Sequence, residues 1–452
     1  MFDETDMLRR GLEYMKKKEY EQALDMFESA IKENPHYIEA FYSRGNAYEA
    51  IGRFDQAIES YSDVLKFAPK EAAPYFNIAC VYRKRGDNER AIAEFTRAIE
   101  LKPDYGKAFL NRGLTKFSIG QIENAIEDYT QAIEFSPKDP DPFVARGLVF
   151  FLKKDYARAM EDYDKAIEVS PNHYRAHGNR GNVLEAMGKN NEAVEEYTKV
   201  IKNFPNDYKA FMNRGLVYLK LNFYELAIAD YTRAIELNPR YSKSYSSRGM
   251  VFVNLKKYHS AISDFDEAIR LAPNDIDAYI SRSHAKVASG DQIGALEDFT
   301  IILKSHPDNI KIWLNRAVIY AKLGNVNEAI SDYSQVINRS KNPKDKDLVQ
   351  AYCSRGVLLS KTGQTDEAVK DYEKALECDT DNLIAHLNLG ILLRVQGKFR
   401  PAIQHLTKAL ELNPKNIAAY QHRAVTYGML GNKEKAEADI AKAKEISDKQ
   451  AG

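Results

Sequence analysis

Asparagine recurs along this 452-residue chain at Asn77, Asn111, Asn179, Asn213, Asn315 and Asn388. The steps are thirty-four residues or multiples of thirty-four, with one slip of five before Asn388. Ser43, Ser247, Ser281 and Ser354 stand at intervening points of the same register. An amide both donates and accepts, so a row of amides on one surface can bond the backbone of an extended peptide without reading its side chains. In the same register lie Lys107, Lys209, Lys243 and Lys311, and the apolar Leu110, Leu114, Val144, Leu148, Met212 and Leu216. Phe117 and Phe151 enlarge that apolar patch. Apolar side chains left in water mark a binding surface. With lysines at its border, such a surface suits a peptide carrying acidic and apolar residues better than a basic one.

A second polar series has a different chemistry. Arginine occurs at one fixed phase of the repeat in eleven places, among them Arg10, Arg44, Arg112, Arg146, Arg214 and Arg423. Sixteen residues after nine of these arginines stands an acid: Asp128, Asp162, Glu196, Asp230, Asp264, Asp298, Asp332, Asp371 or Asp439. One later unit loses both members together, with Leu389 and His405 in their places. A partly buried guanidinium needs a carboxylate fork, so these residues predict a ladder of charge-assisted pairs between helices. Glu94, beside Ile78, suggests pairing with the preceding unit; Leu389 with His405 suggests pairing within one unit.

Catalysis is not expected. Every regular polar residue repeats down the chain, whereas an active site is one asymmetric cluster. No phosphate loop, nucleophile elbow or zinc-protease motif occurs, so no cofactor is implied. His173 and His177 stand four apart but lack the further ligands of a metal site. His386, His405 and His422 read as substitutions of packing residues.

The elements that position these residues are legible in Gly106 to Asp139. Phe109, Arg112, Gly113 and Phe117 recur at spacings of three and four, as do Ala125, Tyr129, Ala132 and Ile133, which predicts two amphipathic helices. Gly113 and Ala125 let the helices approach closely. Gly120 suits a left-handed turn and Pro137 stops the second helix. Thirteen such units begin at residues 4, 38, 72, 106, 140, 174, 208, 242, 276, 310, 349, 383 and 417. Alanine holds the position of Ala125 in all of them, and the position of Gly113 is Gly, Ala or Ser throughout.

The period, the small eighth residue, the alanine and aromatic of the second helix, and the closing proline resemble the tetratricopeptide repeat (TPR) family. The resemblance covers residues 4 to about 448. It implies an all-α, right-handed solenoid of about thirteen helix-turn-helix repeats, with positions two, five, six, nine, twelve and thirteen of each unit lining an inner groove. It also implies a non-catalytic scaffold that binds extended or helical segments of partner proteins. The asparagine row is similar to the ladders of O-GlcNAc transferase and importin-like solenoids, which makes a substrate-recruiting arm of an enzyme the second expectation. Two partial matches to the family's clamp for chaperone carboxylates, Asn46, Asn77, Lys107 and Asn182, Asn213, Lys243, make a chaperone adaptor the third. Each match lacks its first lysine (Tyr42, Gly178) and last basic residue (Asn111, Ser247).

Composition bounds the rest. Sixty-five basic residues balance sixty-five acidic ones, which argues against a generic nucleic-acid surface. No stretch approaches the roughly 20 apolar residues of a membrane span. The start is acidic with no hydrophobic run, and the three cysteines form no CxxC pair, so a soluble cytoplasmic protein is expected. The polar stretch NRSKNPKDKDLVQ interrupts the period. It reads as a loop, bulge or hinge at 344–348 between arrays 1–343 and 349–452.

Overall fold

The computed structural model describes residues 3 to 451. Among them it has 26 α-helices and no strand. They alternate as the periodicity predicts: the first helices of twelve units begin at Glu4, Ile38, Ala72, Gly106, Pro140, Tyr174, Tyr208, Ser242, Ile276, Ile310, Leu383 and Ile417. The chain forms two compact units, Met1–Pro239 and Arg240–Gly452.

The exception is instructive. The eleventh unit starts at Lys346, three residues early, in helix α21 (Lys346–Lys361). Asp345 caps it by accepting from the Asp347 amide at 3.0 Å. Leu348 and Val349 are buried, so an apolar anchor draws the end of the polar insertion into one more helical turn. Helix α20 (Val326–Arg339) still packs on α21 across it.

Within one unit, α7 (Gly106–Ser118) lies against α8 (Ile122–Phe135). The Ala125 position is the closest approach: twelve of the thirteen alanines are 0 % exposed, and only Ala436 in the last helix is not buried. Beside each of the twelve buried alanines sits an aromatic or leucine, as in Tyr129, Tyr163, Tyr197 and Leu406, these four at 0 to 1 % exposure. That ring lies over the glycine of the facing helix; a Cβ on Gly113 would stand 2.7 Å from Tyr129 Cε1. The turn residue has positive φ in every unit, including Lys18, Lys154, Asn222 and Lys256 at φ 57 to 61°. Lysine is not a residue one expects there. It is held by the backbone: at the fifth turn the Lys154 amide bonds Phe151 O and the Asp155 amide bonds Phe150 O, both at 2.9 Å.

The arginines lock the helices together. In all nine units that have both residues, the guanidinium forks the carboxylate of its own second helix through Nε and Nη2, at 2.6 to 3.1 Å. Pairing is therefore within the unit. Arg44, whose unit has no acid there, bonds Ser60 Oγ and Asp63 instead. The remaining nitrogen, Nη1, crosses to the preceding unit. It donates to Thr96, Thr130, Thr198, Thr300, Ser334 or Thr407 at 2.8 to 3.1 Å, and to Asp164 and Asp266. Each of these eight guanidinium groups thus ties three helices. Burial pushes Asp162 up while Arg146 pulls it down. Burial likewise pushes Glu196 up, yet His177, Arg180 and Lys199 together bring it down to about 2.

In the twelfth unit, helices α23 (Leu383–Val395) and α24 (Phe399–Leu412) are joined by a histidine pair instead. His386 Nε2 lies 3.0 Å from Thr380 O and so carries the proton; its Nδ1 then accepts from His405 Nδ1 at 2.9 Å. Burial, then the neighbouring His386, lowers the pKa of His405.

Two outcomes follow from this packing. Gly113→Val must displace the Tyr129 ring, and equilibrium denaturation should show a loss of about 1–3 kcal/mol; unchanged stability would mean the ring has room. An unfolded imidazole protonates near pH ~6.5 whereas folded His405 resists, so this pair's stability is whole above about pH 6.5 and declines as pH falls. Leu389→Arg with His405→Asp restores the fork. Between about pH 7.5 and about pH 5.5 the double variant should lose less thermal midpoint than the parent, since the burial-lowered imidazole of His405 is gone while His284 and His422, also lowered by burial, are present in both.

Candidate peptide-binding face

The face carrying positions two, six and nine of the first helices is built by the same packing. Position seven is turned to the clip and position eight lies against the ring; residues three and four away from them share that inward side, whereas positions two, six and nine fall on the opposite side of the helix. Lys107, Lys209, Lys243 and Lys311 are exposed, with no carboxylate within 4 Å among the described residues. Leu114, Leu148, Leu216 and Met250 at position nine are 36 to 42 % exposed. These long apolar chains stand on a helix surface where polar residues would cost nothing, which is the signature of a contact surface.

Position five lies beneath that face and does not stand out on it. Leu110, expected to line it, is 8 % exposed and packs among Phe109, Ala125 and Tyr129, with Val144 and Met212 equally buried. The reason is geometric: position five faces the helix crossing, one turn before the ring that covers the glycine. Phe117 is half-buried against the same cluster and offers one edge.

The six asparagines are half-buried. Asn111 donates to Lys107 O of its own helix at 2.8 Å, Asn213 to Asn182 Oδ1 at 3.2 Å, and the Asn315 amide lies 3.5 Å from His284 Nε2. Each of these bonds uses one amide atom and leaves the other for a ligand.

At two places the face is closed by a shared polar network. The single O–H of Tyr61 is shared between Asn46 Oδ1 at 2.7 Å and Glu49 at 3.1 Å, and Glu49 pairs with Lys84. Four repeats on, Tyr197 bonds Asn182 at 2.7 Å and Glu185 at 3.4 Å, and Glu185 pairs with Lys220. Burial, then the adjacent glutamate, raises both phenols well above the usual tyrosine range. Asn46 and Asn182 are the first asparagines of the two partial carboxylate clamps. Both oxygens are occupied and each stands beside a glutamate, so an incoming carboxylate would meet like charge.

Thiol and imidazole chemistry is not prepared here. Burial pushes Cys80 and Cys353 up to about 11, away from thiolate formation. His177 fills an aromatic position, with Nδ1 2.7 Å from Glu196 and Nε2 2.8 Å from Pro171 O. Among the described residues no helix is long and apolar enough to cross a membrane.

The position that receives Nη1 of eight of the arginines was not foreseen from the repeat. It is Thr, Ser or Asp in most units, and this periodic hydroxyl two residues after the clip acid was the available signal.

Family comparisons agree with this architecture. Models described as tetratricopeptide repeat match residues 8–72, 179–222, 208–241, 242–275, 308–381, 384–416 and 405–438, and one described as TPR repeat matches 79–120, 113–154 and 147–188. No curated protein matches the chain. Among solved structures, yeast Tom70 is 18% identical over 92% of this chain and 96% of its own, with a TM-score of 0.36. PilF of Pseudomonas aeruginosa is 20% identical over 45% and 92%, with a TM-score of 0.41. YrrB, described as a TPR protein with an unusual peptide-binding site, is 23% identical over 44% and 99%, with a TM-score of 0.35. Helix pairing, period and family models converge: the chain belongs to the tetratricopeptide repeat family.

Proposed function

We propose that this chain is a non-catalytic scaffold that holds extended or helical segments of partner proteins along the first-helix face of its repeats. The observation that carries the reading is the exposed apolar series Leu114, Leu148, Leu216 and Met250, bordered by lysines with no carboxylate within 4 Å among the described residues. Half-buried amides at position six supply backbone bonds, and burying the apolar tips supplies affinity at about 25 cal/mol per Å² before the cost of ordering the ligand. Acidic segments with apolar residues are the favoured ligands. The glutamates beside Asn46 and Asn182 weigh against the chaperone-adaptor alternative.

Leu114→Glu, Leu148→Glu and Leu216→Glu combined should abolish capture of partner proteins from lysate by the immobilised chain. The exposed positions predict an unchanged circular dichroism spectrum and a thermal midpoint moved by little, as for surface substitutions generally. A captured set identical to that of the parent would remove this face as the binding element. Asn111→Ala, Asn179→Ala and Asn213→Ala combined should weaken capture by about tenfold, the loss of a few amide bonds.

A further inference from the structure

Position five closes the floor of the first-helix face, and its size varies. Leu110, Met212 and Leu314 fill it at 6 to 8 % exposure. Where the residue is small the floor opens. Ser246 lies in a hollow of about 570 Å³ with Ser247 and Met250. Cys353 lies in a larger cavity, about 850 Å³, floored by Val349, Cys353 and Val357. A Cβ placed on Gly178, at the same position, would meet nothing within 4 Å. Two repeats thus show a socket at a small fifth residue, and a third leaves open space there.

The socket at Cys353 has two features the others lack. Its far wall is Ile384, 55 % exposed, so apolar surface lines both sides of a concave site. Its rim comes from the insertion that breaks the period: Lys344 precedes α21 and Lys346 opens it, both exposed and without a carboxylate within 4 Å among the described residues. The one acid at the mouth, Asp379, is turned into its own loop, accepting from the Asn382 side-chain amide at 3.1 Å and the Asp381 amide at 3.4 Å. The volume lies within the range of about 300–1,000 Å³ of small-molecule pockets, which leaves room for one large side chain together with its flanking backbone.

We infer that this cavity is a specificity socket for one large apolar side chain, aromatic or leucine, flanked by acidic residues in a bound partner segment. The inference rests on the peptide-binding reading of this face and adds to it the place and chemistry of an anchor. The extra turn of α21 and the small Cys353 side chain have a common use in it: one raises a wall with cations and the other deepens the floor.

The test uses the full chain and a fluorescein-labelled nine-residue peptide with a central Phe flanked by Glu on both sides, read by fluorescence anisotropy. The parent should bind it about tenfold more tightly than the same peptide with Lys in place of Glu. Cys353→Leu installs the residue that repeat four carries and should weaken the acidic peptide by about tenfold. Lys344→Glu with Lys346→Glu lies on the exposed rim, cannot disturb the core, and should do the same. Equal affinity of parent and Cys353→Leu, equal affinity of the charge-reversed rim, or no binding by the parent would each overturn the socket. Lysate capture that persists beside such a result would leave the wider face standing, so the two readings fail separately.

Discussion

A guanidinium can satisfy five N–H groups only if its neighbours are arranged around it. Here Nε and Nη2 are fixed by a carboxylate of the same repeat, and Nη1 reaches a hydroxyl or carboxylate of the repeat before. The hydroxyls are themselves fixed, since Thr96 and Thr130 donate to the carbonyl four residues back at 2.8 Å. Ring faces complete the enclosure: Arg112 lies 5.4 Å from the Phe109 centroid and Arg316 4.8 Å from that of Trp313. An apolar contact would hold two helices at a range of angles. This polar one holds three at one angle, and repetition carries that geometry from unit to unit.

That fixed geometry makes the outward face regular, and small departures then have local consequences. Position nine stays exposed and position five stays buried because the clip and the glycine–ring contact set the rotation of each first helix. When position five shrinks to Cys353 the neighbours are held in place and do not collapse onto it, so a cavity remains. When Leu389 and His405 replace the clip, the hydrogen bond that substitutes is one whose strength depends on protons.

Much of the fold was legible because its signals are local. Helix starts, the alanine crossing, the glycine beneath Tyr129 and the arginine–acid ladder all follow from one period repeated many times. What escaped has tertiary causes. Lys18, Lys154 and Lys256 adopt a left-handed turn because two flanking amide bonds impose it. Leu110 reads as amphipathic surface at helical spacing, and only the real crossing shows that position five points inward. The polar insertion reads as loop since nothing in its composition reveals that Leu348 will be buried and pull a helical turn behind it.

The clips act as cooperative links between buried charges. Native-state hydrogen exchange of the helices Tyr208–Lys220 and Tyr224–Leu237 measures this at Arg214 and Asp230, whose side chains are 16 and 7 % exposed. Arg214→Met or Asp230→Leu alone leaves an unpaired buried charge and should lower the local opening free energy by about 3 kcal/mol, while the double substitution costs less than the sum by about 2 kcal/mol or more. Costs that simply add, within about 0.5 kcal/mol, would show instead that the two residues act independently.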